Sequence, residues 1–198
     1  MLRFISHHDL MRLFERALRR SGLPLKLSEG FNPRAVLSFP AALALGTESR
    51  GEFADVELTQ WVSPGRAKAA VGRRMPPGIE VFGVQSIEYG EKAEVVAAQY
   101  CVRLGVVPEG FASRLDAFMA SDCSTIERTG KSGTKLVNVR SFVRDARLDG
   151  DTVRLVVSVS PAGSVRPEEV LEAIVGGPAR TLAPLRVTRT RLELSSPP

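Results

Sequence analysis

The segment Leu2-Arg3-Phe4-Ile5-Ser6-His7-His8-Asp9-Leu10-Met11-Arg12-Leu13-Phe14-Glu15-Arg16-Ala17-Leu18-Arg19-Arg20, followed by Gly22-Leu23-Pro24, sets the reading of the chain. Leu10, Leu13, Phe14, Ala17 and Leu18 recur at helical spacing and form one apolar stripe. Ser6, three residues before Asp9, predicts a capped helix starting near His7, because its hydroxyl satisfies a backbone N–H that the first turn leaves open. Gly22 and Pro24 predict its end. Short apolar runs at residues 2–5 and 25–27 flank the helix and make the opening β-α-β.

The same order continues outward. Residues 36–39 and 53–59 read as strands, the second alternating with Ala54, Val56 and Leu58 on one side. Ser63-Pro64 opens a second helix to about residue 75, Pro76-Pro77-Gly78 stops it, and residues 79–87 read as a further strand. The second half begins with a strand at 100–107 and a helix after Pro108-Glu109, with Phe111, Leu115, Phe118 and Met119 inward. Strands at 124–127 and 136–142 follow, then a hairpin signal at Leu148-Asp149-Gly150-Asp151 and a strand at 153–159. A helix at 167–175 turns Val170, Leu171 and Ile174 inward, and residues 185–194 close the chain.

Both halves spell β-α-β-β-α-β, with equivalent elements one small domain apart, at roughly 100 residues. The expected fold class is α+β, built as tandem ferredoxin-like modules with antiparallel sheets over residues 1–92 and 93–198. The alternative is one continuous α+β domain with a larger sheet. The first strand is short for a central position: either the natural start precedes Met1 or this module is incomplete.

The 198 residues carry 27 Lys and Arg against 22 Asp and Glu, a formal charge of +5. That balance permits nucleic acid, an anionic membrane or an acidic protein as partner. No apolar run approaches the ~20 residues of a membrane span, and the start lacks a signal-peptide pattern, so a cytoplasmic location is expected. Cys101 and Cys123 fall outside any metal-binding spacing and are expected as buried packing residues; no metal, cluster or other cofactor is expected.

Residues 1–34 concentrate the charge, with seven Lys or Arg against three Asp or Glu. His8, Arg12, Arg16 and Arg19 or Arg20 recur on a polar helical face, and Arg3, Lys26 and Arg34 stand nearby in sequence. A cationic ridge suits a phosphate backbone, because each neutralised phosphate releases counterions; a solvated helix face is the other reading. In Ser28-Glu29-Gly30-Phe31-Asn32-Pro33-Arg34, Phe31 is suited to stacking on a base, Arg34 to a phosphate and Asn32 to a polar ligand, unless Phe31 plugs the core. His7, Asp9 and Glu29 are the candidates for acid–base chemistry, although the helix cap already accounts for Asp9. Arg128, Lys131, Lys135, Arg140, Arg144 and Arg147 surround a hairpin, with Arg140, Phe142 and Arg144 expected on one strand face.

The order Ser6-His7-His8-Asp9-Leu10-Met11-Arg12, then Ser28-Glu29-Gly30-Phe31-Asn32-Pro33, Leu37-Ser38-Phe39, Gly46-Thr47-Glu48-Ser49 and Glu52-Phe53-Ala54-Asp55-Val56 resembles the radical-SAM-linked protein family. This is a bacterial domain encoded beside, or fused behind, a radical SAM enzyme. The likeness is strong over roughly the first 60 residues and loose beyond them. His7 and Asp9 match the family pattern, whereas His8 stands where the family usually has Leu. The resemblance implies a radical SAM partner but no activity. The leading expectation is an accessory domain that binds RNA, transfer or ribosomal, for a radical SAM modification enzyme. The alternatives are a metal-independent endoribonuclease of the RAMP type using His7, and a module that only binds protein.

Overall fold

The computed structural model describes residues 2–88, 90–92, 94–130 and 133–195. The chain divides into two compact units. One comprises Met1–Gly46, Glu52–Glu94 and Leu194–Pro198; the other comprises Thr47–Gly51 and Val95–Glu193. The fold is mixed α+β with four α-helices among the described residues. None of them is long and apolar enough to cross a membrane.

In the first unit, helix α1 runs His7–Ser21. The Ser6 hydroxyl accepts from Asp9 N at 3.1 Å and donates to Asp9 Oδ2 at 2.7 Å, which closes the N-terminus as the sequence predicts. Gly22 ends the helix at φ 73°, a left-handed conformation that costs glycine little. Strands β1 (Leu37–Ser38) and β3 (Asp55–Val56) pair antiparallel, and strand β2 (Glu48–Ser49), between them in sequence, belongs to the second unit. Residues 25–27 add two bridges, Leu25 to Leu58 and Leu27 to Ala35. Three backbone hydrogen bonds close this layer into a ring: Lys26 N to Glu57 O, Glu57 N to Val36 O and Val36 N to Lys26 O. Helix α2 (Pro64–Gly72) starts at Ser63 with Pro at its first position, where the missing N–H costs nothing.

Two expected strands of this unit are absent. Residues 2–4 form a 3-10 turn, because the chain enters the Ser6 cap too soon to pair; the Arg3 carbonyl instead accepts from Gly46 N at 2.8 Å. Residues 79–87 keep a strand-like composition, yet among the described residues no backbone bond joins them to another strand. Propensity for an extended chain does not make a strand without a partner edge. The core is correspondingly thin: Ala17, Leu18, Ala35, Ala67, Ala70 and Val71 are its buried apolar residues.

The second unit is better packed. Strand β4 (Val95–Arg103) leads to helix α3 (Phe111–Ala120), hairpin β5 (Thr125–Gly130) and β6 (Gly133–Asn138), strands β7 (Val143–Asp149) and β8 (Thr152–Ser158), helix α4 (Pro167–Val175) and strand β9 (Arg186–Leu194). The sheet order is β2-β9-β4-β8-β7. β8 is antiparallel to both β4 and β7, and β2 lies parallel to β9. Gly105 N donates to Leu182 O, and Thr190 Oγ1 to Gln99 O, so β9 descends as β4 ascends: the two are antiparallel. Without β2 and the inserted β5–β6 hairpin, the order is β-α-β-β-α-β.

Alternation explains the core. Val153, Leu155 and Val157 of β8 are at most 1% exposed, while Thr152, Arg154 and Val156 fall on the opposite face. α3 and α4 cover the buried face with Phe111, Leu115 and Phe118 and with Val170, Leu171 and Ile174, the stripes expected from their spacing. Each such side chain contributes about 1.5–3 kcal/mol by leaving water. Gly150 (φ 62°) turns β7 into β8, as its Asp-Gly signal predicts. Beside this turn, the hydrogen bond from Arg103 to Asp151 at 2.8 Å holds the Asp151 carboxyl below its usual range.

Candidate nucleic-acid interface

The α1 ridge forms as expected. Arg12, Arg16, Arg19 and Arg20 are all exposed. Arg16 Nε donates to Arg12 O and Arg20 Nε to Arg16 O, both at 3.3 Å, so the guanidinium groups lie in a row along the helix. Only part of the charge is offset within the helix: Arg12 stands 3.9 Å from Asp9, and Arg19 3.2 Å from Glu15. Such exposed pairs contribute about 0.2–1 kcal/mol and yield readily to a phosphate.

The loop that carries Phe31 is tied at its base. Ser28 N donates to Arg34 O at 2.7 Å, Arg34 N to Ser28 Oγ at 3.1 Å, and Arg19 Nη2 to Pro33 O at 2.5 Å. Gly30 takes φ 123°, a region closed to most side chains. Phe31 therefore stands at a loop tip with relative exposure 106%, and it does not plug the core. Glu29, Asn32 and Arg34 are exposed around it. The Arg19 bond places this loop beside the α1 ridge.

Other expected residues hold structural posts. Lys26 pairs with Glu57 at 2.8 Å in the three-segment layer. The Arg3 guanidinium lies 4.6 Å from the centre of the Phe4 ring. The acid–base trio is not brought together by any bond among the described residues. Asp9 is held by Ser6 and Arg12, and Glu29 is out in the loop. His7 rests its ring against the edge of Phe39 at 5.7 Å, and its Nδ1 is shut from solvent without a hydrogen-bond partner.

Four of the six basic residues expected around the hairpin of the second unit are engaged by the fold, while Lys135 is exposed. Arg128 binds Glu169 through two 2.7 Å hydrogen bonds. Arg140 lies in the 3-10 turn Arg140–Phe142, not on a strand, and donates to Met119 O and Val143 O. Asn138 and Ser141 mark the turn, where the Ser141 hydroxyl donates to Asn138 O. Arg144 reaches Ser158, Glu193 and Val96 O, and Arg147 pairs with Asp145. Lys131 lies outside the described residues. Cys101 is half-buried and Cys123 is exposed, so the second is no core residue. Among the described residues no group of three His, Cys, Asp or Glu is placed to hold a metal ion.

One pattern escaped the sequence reading. The exposed aromatic side chains among the described residues are Phe4, Phe31, Phe53, Trp61 and Phe82, and every one belongs to the first unit. The thin core of that unit explains why: its layer is too small to cover them. The only sequence signal was their position near Gly, Pro and Ser.

Residues 1–167 match the family model described as an uncharacterized protein conserved in bacteria (DUF2344). The chain belongs to that family. The DUF2344 match runs through α1, the Phe31 loop and α2 and continues to the first residue of α4, so the candidate interface lies wholly inside it. A search of curated proteins returns no match.

Proposed function

We propose that this DUF2344 protein is an RNA-binding accessory protein that offers transfer or ribosomal RNA to a radical SAM enzyme. The observation that carries the RNA reading is the pairing of an exposed arginine row, Arg12-Arg16-Arg20, with a fully exposed Phe31 on a tied loop. Cations neutralise phosphates, and an exposed ring offers a face for a base to stack on. The radical SAM partner rests on the resemblance of the Ser6–Arg12 and Ser28–Pro33 segments alone. We read the second unit as one ferredoxin-like module, supported by the order β9-β4-β8-β7, and the first unit as a reduced copy of it.

The test is an electrophoretic shift with total RNA at graded salt. Each phosphate contact on a single strand contributes about 0.7 to the slope of log affinity against log salt, so Arg12→Ala/Arg16→Ala should lower that slope by about 1.4. Binding that ignores both salt and this substitution would sink the proposal. A ribonuclease centred on His7 has less support, since His7 Nδ1 is sealed and Asp9 is engaged by Ser6 and Arg12.

A further inference from the structure

A second concentration of charge surrounds α2. Residues 58–79 contain Arg66, Lys68, Arg73 and Arg74 and not one carboxylate. All four side chains are exposed, and none is ion-paired among the described residues, in contrast to Arg12, Arg19 and Lys26. Helix stability explains only half of them. Arg73 and Arg74 follow the C-terminus of α2, where the macrodipole favours cations, but Arg66 lies in its first turn, where a cation is disfavoured, and Lys68 at its centre gains nothing from the dipole. A residue type placed against the local field points to a role outside the helix.

The surroundings complete a surface. α2 buries Ala67, Ala70 and Val71 and leaves Gly65, Ala69 and Gly72 outward. These small residues form one wall of an open groove of roughly 420 Å³, rimmed by Lys68 and Arg73, with Ile79, Glu80 and Val81 along the other wall. A groove with an apolar floor and a cationic rim suits a flat base with its phosphate outside; Glu80 supplies an acceptor for a base N–H. Trp61, 77% exposed, stands just before the helix. Arg20 Nη2 donates to Arg74 O at 3.4 Å, so the α1 row runs into the α2 cluster.

We propose that the α2 face, Arg66, Lys68, Arg73 and Arg74 with Trp61, is a second contact surface for the same single-stranded RNA, with Trp61 stacking on a base. This rests on the RNA reading above and extends it. An acidic protein would meet the cations equally well but would have no use for an exposed indole three residues before the helix.

The probe is a fluorescein-labelled 20-nucleotide oligouridylate, titrated at several salt concentrations into the full chain. Trp61 is the only tryptophan, so intrinsic fluorescence reports on this surface alone. We expect quenching of Trp61 on binding. Arg66→Ala/Lys68→Ala/Arg73→Ala/Arg74→Ala should weaken binding at least tenfold and lower the salt slope by about 2 to 3, at about 0.7 per lost contact. Trp61→Ala should weaken binding by about tenfold with the slope unchanged, as loss of one stacked base implies. An unchanged circular dichroism melt would separate these effects from misfolding. If the fourfold variant binds as tightly as the parent while Arg12→Ala/Arg16→Ala does not, the α2 proposal falls and the α1 reading stands. If the parent fails to bind the oligonucleotide at all, both fall. Poly-glutamate binding more tightly than oligouridylate, with Trp61 unquenched by the RNA, would also overturn the α2 proposal in favour of an acidic protein partner.

Discussion

Arg128→Ala should destabilise the second unit by about 3 kcal/mol, far more than an exposed ion pair would. The guanidinium meets both Glu169 oxygens at 2.7 Å and also donates to Ser164 O at 3.1 Å. The Glu169 side chain is only 12% exposed, so removing its partner strands a carboxylate away from water. Glu169 Oε2 has a second duty, accepting from Arg166 N at 2.7 Å and so closing the first turn of α4. This gives the prediction a sharper form. Glu169→Gln keeps an acceptor for Arg166 N but no charge to strand. The double variant Arg128→Ala/Glu169→Gln should therefore be more stable than Arg128→Ala alone, although it carries one more substitution. Urea melts of the four proteins measure this coupling. Additive losses would mean that Glu169 is solvated and that the pair contributes little.

Phe111→Ala should cost about 3–5 kcal/mol. Phe111 opens α3, is 1% exposed and is the largest fully buried side chain of the core. Truncation leaves a cavity beneath α3 that the sheet cannot close, whereas Phe111→Leu keeps most of the volume and should cost roughly 1.5 kcal/mol. For a unit of this size each kcal/mol is worth about 4–8 °C, so the alanine variant should melt more than about 10 °C lower by calorimetry. The arginine row and Phe31 belong to the other unit. RNA affinity below the melt should thus stay within about twofold, as expected for sites in separate units that share no partner. A parallel collapse of RNA affinity at low temperature would tie binding to the second unit instead.

What could be read from the sequence follows the range of the interactions. α1 begins at His7 and α4 spans Pro167–Val175, both as expected, because caps, proline and a 3.6-residue stripe act over a few residues. Gly150 marks its turn for the same reason. Strand pairing is set elsewhere. The Glu48–Thr188 register of β2 and β9 joins residues far apart in the chain, and nothing near Glu48 announces it. Residues 2–5 and 79–87 had the composition of strands but no edge to join.

Charge was legible as an amount and not as a commitment. Arg128 and Arg16 look alike in sequence, yet one anchors Glu169 and the other lies on the surface. Aromatics were legible only where a stripe holds them: Phe111 is read inward from its spacing with Leu115 and Phe118, whereas Phe31, in a loop without periodicity, left exposure and burial open until the packing decided it. The acid-free run at 58–79 was visible from the start and is the signal that would have pointed to α2.

On the proposed reading, the first unit grips single-stranded RNA with its arginine faces and exposed rings. Photo-crosslinking a 4-thiouridine-bearing oligonucleotide to the full chain, with the attached peptides identified by mass spectrometry, tests it most directly. Crosslinks are expected on the peptides that carry Phe31 and Trp61, and should be lost on adding unlabelled oligonucleotide. Crosslinks confined to residues 95–193, or none that the competitor removes, would contradict it.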